Sequence, residues 1–379
     1  MSLDEAATLA GITALRKTSK QDGLTPSQRL ERIESGAIPI SHAQFKALAK
    51  IYRRPEVTFF LPYPPKRENL LADFRTVESY YRSSDSPEFS ALKRHILNLH
   101  KGLIDLATEE EMSPLPFVGS VRSDDSPAAI VAAIKDTLGP DPRSTQRIND
   151  EQDLFSAIRE QAQNKGIFVI LQGNLGSHHS NITLEEFRGI SIANPLVPLI
   201  VVNPNDTLKA RVFSLLHELC HIFLGITGVC NNGIATIVNS RQQERLCNAV
   251  AAEYLVPLDR INQFSFDDTT PQHIDAIAKT FKVSGLVVAR RALDLGRITQ
   301  DDYVRLSNIY IGRCLKAKAK AKSSKDGRGG PDPNVVAAFN LGNKLLSTVI
   351  NAANSGKIGF SEASSLLRLP FSRLDKVYR

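Results

Sequence analysis

His217, Glu218 and His221 stand in the order His-Glu-x-x-His inside Leu208–Leu224, LKARVFSLLHELCHIFL. In a helix, residues four apart lie about 40° from each other around the axis and one turn apart, so both imidazoles can meet one ion. Neutral imidazole nitrogen is a good zinc ligand, and a catalytic zinc site uses three protein ligands while keeping a fourth position for water. Glu218, about 100° further round than His217, is not placed to ligate but can reach such a water as general base. It can then pass the proton to a leaving amine. Glu244 offers the third ligand, with twenty-two residues between it and His221, at the start of ERLCNAVAAEYLVP. The chemistry open to this set is metal-assisted hydrolysis of a peptide bond, and the plainer alternative is a core helix carrying two satisfied histidines.

Two helices must position these side chains. Val212, Leu215, Leu216, Leu219, Ile222 and Phe223 recur at three- and four-residue steps, and no Gly or Pro interrupts before Gly225, which supplies the stop. Arg241–Val256 reads as the second helix, ended by Pro257, with Glu244, Cys247, Asn248, Ala251 and Leu255 along one face. That face turns the carboxylate toward the histidines.

FRGISIANPLVPLIVVNPNDTLKARVFSLLHELCHIFLG followed by ERLCNAVAAEYLVP resembles the ImmA/IrrE metallopeptidases, bacterial and phage zincin-like proteases that cleave helix-turn-helix repressors. The resemblance is strongest over Gly166–Asp259. It implies zinc held by His217, His221 and Glu244, Glu218 as catalytic base, and a DNA-bound regulator or antitoxin-like protein as substrate. Cys247 stands where that family usually has Ala, and Val250 where Phe is common; neither is a ligand position.

The sequence of 379 residues has room for two or three domains, and its 42% hydrophobic content is ordinary for a soluble protein. No apolar run approaches bilayer length and no signal pattern opens the chain, so a cytoplasmic protein without membrane contact is expected. Cys220, Cys230, Cys247 and Cys314 show no metal-type or redox spacing and read as small buried apolar residues in a reducing compartment. The net charge of +7 sits at the two ends: residues 1–67 carry eleven basic against six acidic side chains, and 261–379 nineteen against ten. That asymmetry permits nucleic-acid contact at the termini, or is a solvated surface.

Along the chain, helices are expected at Leu3–Gly11, from Pro26 to Gly36 with Thr25 as cap, and from His42 with Ser41 as cap. Residues 1–65 resemble an Xre/Cro helix-turn-helix domain. The DNA-contacting positions carried over are Gln28, Arg29 and Arg32. The long separation Ile12–Leu24 departs from that motif, so the segment is either a working DNA-binding domain or a remnant used for packing or dimerisation.

Residues 66–152 read as a helical connector in which His95 and His100 are surface or satisfied polar groups. A metallopeptidase core is expected at 153–260, with strands at Ile167–Leu171, Phe187–Ala193 and Leu199–Val202. His178 and His179 sit in an intervening loop, exposed or steadying an oxyanion. Residues 261–312 form a helix-turn-helix-like pair meeting at Val283-Ser284, made basic by Arg290, Arg291 and Arg297, or a hairpin packed on the core. A flexible basic linker is expected at 313–333 and a C-terminal helical segment at 334–379.

The expected fold class is α+β, mostly helical: a small zincin-like sheet packed on the His-Glu-x-x-His and Glu-bearing helices, flanked by helical domains. The expected function is a zinc-dependent endopeptidase. The alternative is a helix-turn-helix regulator or antitoxin-type module whose zincin fold serves binding. The sequence leaves oligomeric state open.

Overall fold

The computed structural model describes residues 3–14, 23–61, 63, 86–176, 180–230, 238–323 and 332–378. The chain divides into two compact units: Met1–Asn98 with Asn174–Ile182, and Leu99–Gly173 with Thr183–Arg379. His178 and His179 lie outside the described residues.

In the first unit, α1 (Leu3–Leu9), α2 (Pro26–Glu34) and α3 (His42–Ile51) enclose a small core of Ala6, Ala7, Ala10, Ile12, Leu30 and Leu48. Thr25 and Gln28 close a capping box on α2, and Ser41 and Gln44 close one on α3, satisfying the amides that a helix start leaves open. A tight turn, Glu56–Phe60, sets the rings of Phe59 and Phe60 at 5.6 and 5.5 Å from Phe45. The boundary between the units falls inside α4 (Pro87–Glu109).

The second unit is an α+β structure. It runs through α5 (Pro127–Leu138), α6 (Pro142–Thr145), α7 (Glu151–Asn164), β1 (Phe168–Leu171), β2 (Gly189–Ile192), β3 (Leu199–Val202), α8 (Leu208–Leu224), β4 (Gly228–Cys230) and α9 (Val238–Leu255). Then come α10 (Leu258–Ile261), α11 (Pro271–Phe281), α12 (Gly285–Asp294), α13 (Gln300–Ser323), α14 (Pro333–Leu341), α15 (Asn343–Asn354), α16 (Phe360–Leu367) and α17 (Phe371–Tyr378). Among the described residues, no helix is long and apolar enough to cross a membrane.

The sheet order is β1-β3-β2-β4, with β1 parallel to β3 and the other pairs antiparallel. Every residue of β1, β2 and β3 is buried, as expected of strands covered on both faces. Alternation assigns the faces. Val169, Leu171, Ile200 and Val202 join the core that contains α8, whereas Phe168, one step out of phase, lies under the Lys344 ammonium of α15 at 4.9 Å. By register, Gly189 opposite Val202 and Ser191 opposite Ile200 share the α8 face. β4 was not anticipated; three residues are too few to show a period.

Buried arginines tie this unit together. Arg159 is 5% exposed and donates twice to Val169 O, at 3.0 and 2.7 Å, once to Asn340 O at 2.9 Å, and to Phe339 O. It thereby fastens the end of α14 to the outer carbonyl of edge strand β1. Arg143, paired with Asp141 at 2.6 Å, donates to Tyr254 O, Leu255 O and Phe281 O at 2.8, 2.8 and 2.9 Å. Those are the open carbonyls that end α9 and α11. Replacing Arg143 by Met should therefore lower unfolding free energy by about 3 kcal/mol, since it strands Asp141 and three carbonyls. A chemical-denaturation midpoint unchanged from wild type would show that the staple is idle.

The hairpin α11–α12 meets where expected, with Ser284 capping α12 at Val287 N. Its cations are engaged within the fold. Arg291 is buried against Glu253 and Val256 O, Arg290 pairs with Asp294 at 2.9 Å, and Arg297 donates to Asn262 at 2.8 Å. Ile274, Ile277, Phe281, Val288 and Ala292 belong to the same core as α8 and α9, so the hairpin packs on it. One expectation is corrected: the segment read as a flexible linker from 313 is helical as far as Ser323, in α13. Its alternating Lys and Ala are strong helix formers, a preference that low complexity concealed.

Candidate metal centre

Helix α8 starts at the Thr207 cap, which accepts from Ala210 N, and ends at Gly225 with φ 70°, a left-handed conformation that suits glycine. Between these stops one face carries His217 and His221, buried to 4% and 2% exposure. Helix α9 packs along α8 and brings Glu244 to them. The two Nε2 atoms are 3.1 Å apart, and the Glu244 carboxylate stands 3.2 Å from Nε2 of His217 and 3.3 Å from Nε2 of His221. Four donors about 2.0–2.1 Å from a tetrahedral zinc are separated by roughly 3.3 Å, the spacing at which the two Nε2 atoms stand from each other and each from one oxygen of the Glu244 carboxylate, Oε2 for His217 and Oε1 for His221. Two imidazoles and one carboxylate are also a donor set that zinc accepts.

A sulfur donor is also close by. Ligand atoms of His217, His221 and Cys247 lie within 4.8 Å of one another, and all three residues are buried. The buried position of Cys247 was foreseen, its membership of this cluster was not. Cys247 follows Glu244 by three positions on α9, which places both on the face toward α8.

Glu218 is 1% exposed and lies on the β2 side of α8. A Cβ built on Gly189 would meet Glu218 Oε1 at 2.1 Å, Cδ at 2.6 Å and Cγ at 2.7 Å. The carboxylate thus lies flat on the strand backbone, at a place only glycine leaves open. Sequence periodicity marked Gly189 as part of a strand and gave no sign of this contact.

Charge couples the groups. Burial lowers the proton affinity of His217, but the bond to Glu244 and the charges of Glu218 and Glu244 outweigh it, and the net shift is upward. Burial likewise raises Glu244, yet its bonds and charge pairing with His217 and His221 hold the carboxyl well below the usual carboxylate range. Any metal entering must displace the His217 proton. A ligand histidine must be neutral, so zinc affinity should weaken progressively as the pH is lowered through the raised His217 value, measured by chelator competition across a pH series. A flat profile would mean that His217 does not take part.

The proposed DNA contacts lie in the first unit. Gln28 closes the capping box of α2 by accepting from Thr25 N at 3.0 Å, Arg29 donates to Thr13 O at 3.0 Å, and Arg32 is exposed in the last turn of α2. His100, expected to be surface or satisfied, is buried and bonded to Val197 O at 2.9 Å.

Residues 163–293 match the family model of the IrrE N-terminal-like domain, Peptidase_M78. The match runs from the end of α7 through α12 and includes every residue of the centre. It supports the ImmA/IrrE resemblance and points to a metallopeptidase-type function for this IrrE-like domain. No curated protein matches the chain.

Proposed function

We propose that this chain is a zinc-dependent endopeptidase in which His217, His221 and Glu244 hold the metal and Glu218 is the general base. The observation that carries it is the convergence of two Nε2 atoms and one carboxylate within 3.3 Å of each other. A zinc ion bound there would supply a Lewis acid that polarises the scissile carbonyl and acidifies water. Glu218 accepts the proton of the attacking water and returns it to the leaving amine nitrogen. Its burial against β2 keeps the carboxylate aimed and shields the exchange from bulk solvent.

Edge strand β4 pairs with β2 on one side, and its other edge can take an extended peptide by strand addition. An open hollow of about 420 Å³ between Arg122–Asp124 and Gln242–Gln243, the residues just before Glu244, offers room for a polar side chain. The resemblance to ImmA/IrrE proteins supports a DNA-binding repressor or antitoxin-like protein as substrate; the separate Xre/Cro resemblance of residues 1–65 is what would give DNA contact. The buried thiols Cys220 and Cys247 fit a reducing compartment, the cytoplasm.

Metal analysis beside a cleavage assay on an unfolded protein tests the reading. One zinc per chain and chelator-sensitive cleavage are expected. Glu244→Ala should weaken zinc binding by at least about a hundredfold, more than loss of an outer partner costs, whereas Cys247→Ala should leave it nearly unchanged. The reverse ranking would make the thiol the third ligand. Stoichiometric zinc with no cleavage of any protein would favour a binding module.

A further inference from the structure

Asn248 was visible in the sequence only as one residue of an inward face, yet its Oδ1 lies 3.0 Å from Nδ1 of His217. A carbonyl oxygen can only accept, so in this contact Nδ1 carries the hydrogen. Neutral imidazole has a single N–H, and Nε2 is then left with its lone pair. We propose that Asn248 is a positioning residue that locks His217 in the Nδ1–H tautomer and presents Nε2 to the metal.

Two features of the structure support this. Glu244 and Asn248 are four apart on α9, one turn from each other. The first meets Nε2 of His217 at 3.2 Å and the second meets Nδ1 at 3.0 Å, so one helix holds both ends of the same ring. Such a bracket fixes both the rotation of the ring and the choice of nitrogen. Nε2 is also the nitrogen that faces His221 Nε2 at 3.1 Å, so the tautomer that Asn248 selects is the one the cluster needs. Outer partners of this kind orient metal-binding histidines and raise their basicity.

The inference rests on the zinc reading of the cluster, and the experiment separates the two. Full-length chain is prepared as wild type, Asn248→Leu, which keeps approximate size without an acceptor, and Asn248→Asp, which keeps the acceptor. Zinc affinity is measured by chelator competition, and the His217 tautomer is read by nitrogen NMR of labelled histidine in zinc-loaded protein and in metal-free protein at a pH where the ring is neutral. Asn248→Leu should weaken zinc binding about 10- to 100-fold and mix the tautomers, while Asn248→Asp retains wild-type affinity and the Nδ1–H form. Unchanged affinity in Asn248→Leu overturns the proposal, as does an Asn248→Asp variant as weak as Asn248→Leu, which would reduce the residue to packing. Absence of zinc binding in the wild type would sink the metal reading, whereas the tautomer in metal-free protein still decides what Asn248 does to His217.

Discussion

Glu218→Gln should reduce peptide cleavage by about 10²- to 10⁴-fold, the usual worth of a general base, while zinc content stays at the wild-type level. Gln has nearly the same shape and can occupy the same slot against β2, but it cannot take a proton from water. The proposed ligands are untouched, because they belong to His217, His221 and Glu244. Removing the Glu218 charge also withdraws one of the influences that raise the His217 proton affinity, so protons compete less with the metal. A variant that cuts at the wild-type rate would remove Glu218 from the chemistry. One that loses its zinc would recast the residue as structural.

Gly189→Ala should be nearly as damaging, although the residue carries no functional group. A methyl placed 2.1 Å from Glu218 Oε1 cannot be accommodated without movement. β2 is hydrogen-bonded on both sides, to β3 and β4, so it resists displacement. The carboxylate must move instead, away from its aim. We expect at least a hundredfold loss of turnover, comparable to misplacing a catalytic group by about 1 Å. Overpacking should cost about 1–3 kcal/mol of stability as well, readable in a thermal melt. Zinc occupancy should persist. A double-mutant cycle sharpens the test: in a Glu218→Ala background the added methyl finds space, and the stability cost of Gly189→Ala should largely vanish. Equal costs in both backgrounds would mean that the clash lies elsewhere.

Much of this site was legible in the chain because it is built from local regularities. The range Leu208–Leu224, with Gly225 as stop, agrees with α8 residue for residue, since a continuous apolar stripe ends at a glycine that must adopt positive φ. Helix α9 starts three residues earlier than the expected Arg241, and its face still holds Glu244, Cys247, Asn248 and Ala251. Strand β3 falls where its β-branched run places it.

What stayed hidden depends on partners distant in sequence. Nothing around Gly189 announces a carboxylate from α8, and nothing in Asn248 announces an imidazole. The sequence did not mark Arg143, Arg159 or Arg291 as staples, yet they bind carbonyls from 10 to 181 positions away. Such acceptors are backbone groups and leave no mark on residue identity.

The tie between Arg159 and the end of α14 also bears on synthesis. Phe339 and Asn340 lie 180 and 181 positions beyond the arginine, so two of its three carbonyl acceptors are still unmade when α7 and β1 leave the ribosome. At about 5–20 residues per second, that wait is on the order of ten seconds or more. During it, the outer rim of β1 is exposed with its covering helices unborn, and the nascent chain must keep that rim from neighbours until α14 has been made.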